Sequence, residues 1–179
     1  VDDRPADARV ERAPLGGAEQ AGRRRLVGQE ESAISRADLD AAIVPVGGGS
    51  GLCGTAIVLK AVNPRIRVIG VQTEGMPVVY ESWKARRPLA LEGGRTFADG
   101  LATRVDFELT HEIYCRLVDD IRLVSEDDMR RAIGEILETA HVLAEGAGAA
   151  PLAAARQLAP ELRGKKVALV VSGGNLTLD

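Results

Sequence analysis

The stretch Val44-Pro45-Val46-Gly47-Gly48-Gly49-Ser50-Gly51-Leu52-Cys53-Gly54 limits the folds open to this chain more than any other. An apolar run, Ala41 to Val46, leads into it, and a helix-forming run, Thr55 to Val62, leads out. The order is strand, glycine loop, helix. Glycines let a chain turn tightly and bring backbone N–H groups to one side with no Cβ in the way. The helix that follows adds unpaired N–H groups and the positive end of its dipole. Such a loop is a good place for a phosphate. Gly49, Gly51 and Gly54 satisfy G-x-G-x-x-G, and Glu74 follows Gly54 by 20 residues, near the end of the next strand. That is the spacing of an acid on a dinucleotide ribose. On these residues alone, a dinucleotide, another phosphate ligand and a glycine turn that binds nothing all stay open.

Downstream, the pattern is that of an α/β domain. Ala41–Val46 is a continuous apolar run, as a strand covered on both faces requires. The Thr55–Val62 helix stops at Asn63-Pro64, and Arg65–Val71 reads as the next strand. This is a βαβ unit, with parallel strands and a right-handed crossover. A helix is predicted from Pro77 to Arg87, a long loop from Leu89 to Arg104, a helix over Leu109–Leu117 and a strand over Asp120–Val124. Ser125-Glu126-Asp127-Asp128 is an N-cap sequence for a helix running to about Leu143. Glu145-Gly146-Ala147-Gly148 reads as a break, with Pro151 in the first turn of a helix through Leu158. Lys166–Val171 is predicted as a last buried strand, delivering Ser172-Gly173-Gly174-Asn175 to the edge where open parallel sheets collect ligands.

Residues 1–35 show no period, are interrupted by proline and glycine and are dense in charge. They read as a disordered or non-native segment ahead of a domain over 36–179. A net charge of −3 argues against a nucleic-acid surface, and no apolar run approaches a membrane span. Cys53 and Cys115 are far apart and in no metal spacing, which fits a reducing cytoplasm.

Five stretches, in order, carry a family resemblance. Val44-Pro45-Val46-Gly47-Gly48-Gly49-Ser50 resembles the phosphate loop of fold-type II pyridoxal-phosphate enzymes, the threonine dehydratase and serine racemase group. Gly70-Val71-Gln72-Thr73-Glu74-Gly75, Phe97-Ala98-Asp99-Gly100, Glu145-Gly146-Ala147-Gly148-Ala149-Ala150 and Ser172-Gly173-Gly174-Asn175 resemble the same group. The likeness covers the C-terminal three quarters of the chain. It implies a three-layer αβα fold with a mostly parallel sheet, pyridoxal 5′-phosphate in a cleft between two domains, and a homodimer. This chain resembles most of the larger domain.

Carried over position by position, the resemblance implies that Gly47, Gly48, Gly49, Ser50 and Gly51 surround the cofactor phosphate. Ser50 stands where the family usually has a fourth glycine, and Gly51 where it has a larger apolar residue. Ser172 would meet the pyridine nitrogen, Glu145 would line the ring side and Asp99-Gly100 would lie toward the substrate. Gln72, Met76 and Val78 would occupy the positions where some relatives bind a divalent cation, and two of these are poor ligands, so no metal is expected. The implied reaction is β-elimination from a hydroxy amino acid such as threonine or serine, giving a 2-oxo acid and ammonia. The lysine that anchors the cofactor covalently in this family lies upstream of the glycine loop, and no lysine precedes Lys60 here. Lys60, Lys84, Lys165 and Lys166 stand in other contexts. The chain is therefore expected to be the C-terminal part of such an enzyme, inactive alone. A non-catalytic subunit of the same fold and a dinucleotide-binding module are the alternatives.

Overall fold

The computed structural model describes residues 38–176. The expectations for residues 1–35 lie outside them. Strands β1 (Ala41–Pro45), β2 (Arg67–Thr73), β3 (Asp120–Val124) and β4 (Val167–Leu169) form one parallel sheet in the order β3-β2-β1-β4. Between them run α1 (Ser50–Val62), α2 (Val78–Ala85), α3 (Glu108–Leu117), α4 (Glu126–Ala140), α5 (Gly146–Gln157) and α6 (Ala159–Leu162).

Side chains alternate across a strand, so β1 serves two cores. Ile43 joins Ile69, Val71 and Val124 under α4 and α5, with Met129, Ile136, Ala150 and Ala154. Ala42 and Val44 join Val68 and Ile121 under α1, α2 and α3, with Leu52, Ala56, Val79 and Tyr114. The result is the expected three-layer αβα arrangement. The core is aliphatic, and Tyr114 is the large aromatic side chain fully buried within it.

Three local readings are corrected. Helix α1 begins at Ser50 rather than Thr55, because only Gly49 needs the left-handed backbone (φ 94°), and Gly51 and Gly54 fall inside the helix. Helix α5 begins at Gly146, so the predicted break is helical and Pro151 sits inside the helix. Gly146 and Gly148 serve close packing there. A Cβ on Gly146 would lie 2.7 Å from Phe97, and one on Gly148 2.7 Å from the Gly173 oxygen. Strand β4 is half-buried throughout, because it pairs with β1 on one side and with no strand on the other among the described residues. Among the described residues no helix is long and apolar enough to cross a membrane.

The Ser125 cap is as read: its Oγ accepts from the Asp128 N–H at 3.1 Å, and three acids fill the first turn of α4.

Candidate functional site

The C-terminal edge of the sheet carries the site. β1 ends at Pro45, the chain passes through Val46 to Gly49, and α1 starts at Ser50. The first intrahelical acceptor is the Gly49 carbonyl, which takes the Cys53 N–H at 2.9 Å. The amides from Gly47 to Leu52 therefore have no acceptor among the described residues, as the start of a helix dictates. Gly48, Ser50 and Gly51 are exposed, so these donors face solvent. A cradle of N–H groups at a helix start can hold a phosphate.

Neighbouring elements hold the cradle open. A Cβ on Gly47 would run into the Gly100 carbonyl oxygen, and one on Gly49 would lie 2.7 Å from Thr110. Thr110 Oγ1 donates to the Gly48 carbonyl at 3.1 Å. The Phe107 ring stands 3.5 Å from the Cβ position of Gly48, and the ring is about half exposed, forming one wall. Sequence reasoning missed Phe107 and Thr110. Their signal was weak: an exposed aromatic and a threonine at the start of a helix, about 60 residues from the loop they touch.

The short turn Asp99–Leu101 links the cradle to the other predicted residues. Glu145 Oε1 is 3.5 Å from the Cβ position of Gly100 and 2.6 Å from that of Gly173. The Glu145 N–H donates to the Gly173 carbonyl at 3.1 Å. Gly47, Gly100, Glu145 and Gly173 thus form one continuous line of contacts. Ser172 precedes Gly173 and is exposed. Val170 N–H donates to the Ile43 carbonyl, so the chain after β4 keeps its place beside β1 on the way to Ser172. A cleft of ≈ 360 Å³ opens beside this line, lined by Phe97, Asp99, Arg130, Glu145 and Asn175 among others. Phe97 and Arg130 stack at 4.8 Å.

Glu126 fixes the turn from behind. One carboxylate oxygen accepts from Thr73 Oγ1 at 2.6 Å and the other from the Phe97 N–H at 3.0 Å. Burial pushes the Glu126 carboxyl up, but the bonds from Thr73, Phe97 and Thr96 and the Arg130 charge together hold it below its usual value.

The three positions aligned with a cation site and the four lysines fall elsewhere in role. Gln72 is fully buried, and its Oε1 accepts from the Val79 and Tyr80 amides at 3.0 and 3.1 Å, capping α2. Met76 and Val78 are buried beside it. Lys60 lies in the last turn of α1 and binds the Ile66 carbonyl and Asp119, each at 2.7 Å. It is ten residues from Ser50, about 15 Å along the helix. Lys84 ends α2, and Lys165 and Lys166 precede β4 at the opposite edge of the sheet. No lysine among the described residues belongs to the cradle.

The glycines also separate the two phosphate readings. In a dinucleotide fingerprint the third glycine lets helix and strand pack closely. Gly54 is exposed, and a Cβ there would meet nothing within 4 Å. Gly51 is equally open. The tight positions are Gly47 and Gly49, the first and third of the run of three.

The pyridoxal-phosphate dependent enzyme family matches residues 20–173. An L-threonine ammonia-lyase of Thermotoga maritima is 42% identical over 142 residues, which is 79% of this chain and 35% of that protein. A catabolic L-threonine dehydratase of Escherichia coli (strain K12) is 39% identical over 143 residues, 79% of this chain and 44% of that protein. Among solved structures, a threonine deaminase from T.th. superposes with a TM-score of 0.75 at 37% identity, over 79% of this chain and 50% of that one. Maize serine racemase gives 0.73 at 32% identity, over 79% and 44%. The chain thus spans less than half the length of these two curated relatives.

Proposed function

The chain belongs to the pyridoxal-phosphate dependent enzyme family, and from that premise we propose that it forms the phosphate-binding part of a lyase acting on a hydroxy amino acid such as threonine or serine. The products would be a 2-oxo acid and ammonia. The observation that carries this reading is the set of unpaired amides from Gly47 to Leu52, kept open by two glycines that tolerate no side chain.

The residues present fit the cofactor. The amides of Gly47, Gly48, Gly49, Ser50 and Gly51 would bind its phosphate, with the Ser50 hydroxyl as a further donor and the α1 dipole favouring the negative charge. Ser172 would place a hydroxyl at the pyridine nitrogen, a neutral partner that leaves the ring unprotonated. Glu145 would line the ring side, and Asp99 and Gly100 the side toward the amino acid. Phe107 and Thr110 would form one wall of the cradle. Bound there, pyridoxal phosphate supplies an electron sink for bonds to Cα. Removing the Cα proton requires a base, and none of the four lysines reaches the cradle, so this chain has no covalent anchor of its own. The domain over 36–179, a homodimeric complete enzyme and a cytoplasmic setting belong to the same proposal. Two free cysteines are in keeping with the last.

The test is to load the chain with pyridoxal phosphate, desalt it and record its absorbance with and without borohydride. The expected result is retained cofactor, displaced by inorganic phosphate and not fixed by borohydride. No retention, or retention unchanged in Gly49→Val, would overturn the phosphate assignment. Borohydride fixation with turnover of threonine or serine would overturn the absence of an anchor.

A further inference from the structure

Along α3 and the residue before its cap, three side chains stand in a row that the proposed lyase reaction does not use. Asp106 is buried, at 6% exposure, and its Oδ2 lies 2.7 Å from His111 Nδ1. His111 Nε2 lies 3.5 Å from Cys115 Sγ. The spacing follows from the helix: His111 and Cys115 are i and i+4 on α3, so they share a face.

The protonation pattern is determined by the partners. Asp106 Oδ2 also accepts from the Tyr114 hydroxyl at 2.5 Å, and Oδ1 accepts from the Phe107 N–H at 3.1 Å. The same Oδ2 accepts from His111 Nδ1–H, which leaves Nε2 as a bare acceptor facing the thiol. Burial raises the Cys115 pKa, and Arg86 opposes this in part. At neutral pH the group is therefore S–H, and sulfur can attack only if its proton has somewhere to go. His111 Nε2 is that acceptor, and the resulting imidazolium is stabilised by Asp106, which is the logic of an activated nucleophile. Cys115 is half-buried rather than sealed, and exposed Arg86 and Arg116 flank it. Arg86 donates to the Cys115 carbonyl at 3.2 Å.

We propose that Cys115 is a thiol–disulfide exchange site, with His111 as proton acceptor, for small disulfides that carry carboxylates. In the step, Cys115 S–H passes its proton to His111 and its sulfur attacks one sulfur of the disulfide R–S–S–R. The new bond is Cys115–S–S–R, and the departing R–S⁻ recovers the proton from His111 as R–SH. One disulfide is consumed and one formed, with no outside oxidant beyond the disulfide itself.

The chain carries its own control. Its only other cysteine, Cys53, is 3% exposed and donates to the Thr110 carbonyl. The experiment treats the full chain with dithiobis(nitrobenzoate), follows the released thiolate and maps the adduct by mass. Labelling of Cys115 is expected about tenfold or more faster than that of Cys53, whose reaction reports opening of the fold. His111→Gln is expected to slow Cys115 labelling about tenfold at neutral pH, with the difference shrinking near pH 10, where hydroxide ionises the thiol unaided. Asp106→Asn is the second variant and is expected to act in the same direction. Cystamine, a cationic disulfide, should react more slowly than oxidised glutathione. Cys115 no faster than Cys53 in the intact chain, or no slowing in either variant with Cys53 still protected, would overturn the site. Equal rates for the two disulfides would overturn the preference for carboxylates.

Discussion

The carbonyl oxygen of Gly100 fills the space that a Cβ on Gly47 would need. The two residues belong to different motifs, and their contact joins the glycine loop to the turn Asp99–Leu101. Gly47→Ala must push the Asp99–Leu101 turn away or move the loop. Overpacking of this kind costs about 1–3 kcal/mol. Gly47→Ala is expected to lower the unfolding free energy by that amount, read as a lower denaturant midpoint, and to abolish retention of pyridoxal phosphate. An unchanged midpoint with full retention would show that the turn is not in contact with the loop.

Gly54 gives the opposite expectation. It lies inside α1, is exposed, and has open space where a Cβ would go. Alanine there removes the backbone-entropy cost of glycine and should stabilise the chain by about 0.5–1 kcal/mol. Pyridoxal-phosphate retention should be unaffected. A dinucleotide site would need this glycine for packing, so destabilisation in Gly54→Ala would reopen that alternative. Urea denaturation of the two single variants beside the parent chain checks both glycines.

Much of this architecture was legible in the sequence because its signals are local. The apolar run Ala41–Val46 could only be a strand covered on two faces, and the structure gives its alternate residues to two cores. The Ser125 cap announced α4, and the glycine run announced the cradle. What was not legible depends on contacts distant in the chain. Gly146 and Gly148 carry the local mark of a break, yet their role is to let α5 press against Phe97, Ala98 and Gly173. Phe107 and Thr110 touch the cradle only because α3 packs on α1. The half-buried state of β4 follows from its place at the edge of the sheet, which no pattern within Lys166–Val171 records.

Glu126 makes acid stability depend on the turn over the site. Its folded pKa lies below the unfolded value of about 4.3. The stability it contributes is therefore present above the unfolded pKa and is lost as pH falls through the folded one. Glu126→Gln keeps an acceptor for Thr73 or Phe97 but loses the charge. The variant is expected to be less stable than the parent near neutrality and to converge with it as pH falls from about 4.3, the unfolded value, through the lower folded pKa. Denaturation midpoints measured from about pH 3 to 7 read the difference. Parallel curves over that range would mean that the Glu126 charge does not hold the turn.

Ser172 and Glu74 distinguish the two ligands the glycine loop could serve. Glu74 is exposed just past β2, and its N–H donates to the Val124 carbonyl. A ribose-binding role would make Glu74→Ala weaken binding of a nicotinamide cofactor. A pyridine-binding role assigns that sensitivity to Ser172, and only toward pyridoxal phosphate. Loss of one hydroxyl bond to the ring costs about 1 kcal/mol, so Ser172→Ala should weaken pyridoxal-phosphate binding several-fold. Inorganic phosphate, which has no ring, should bind the parent chain and Ser172→Ala alike. Fluorescence titration of both variants with both cofactors and with phosphate reads these effects separately. Sensitivity to Glu74→Ala together with indifference to Ser172→Ala would transfer the glycine loop to the dinucleotide reading.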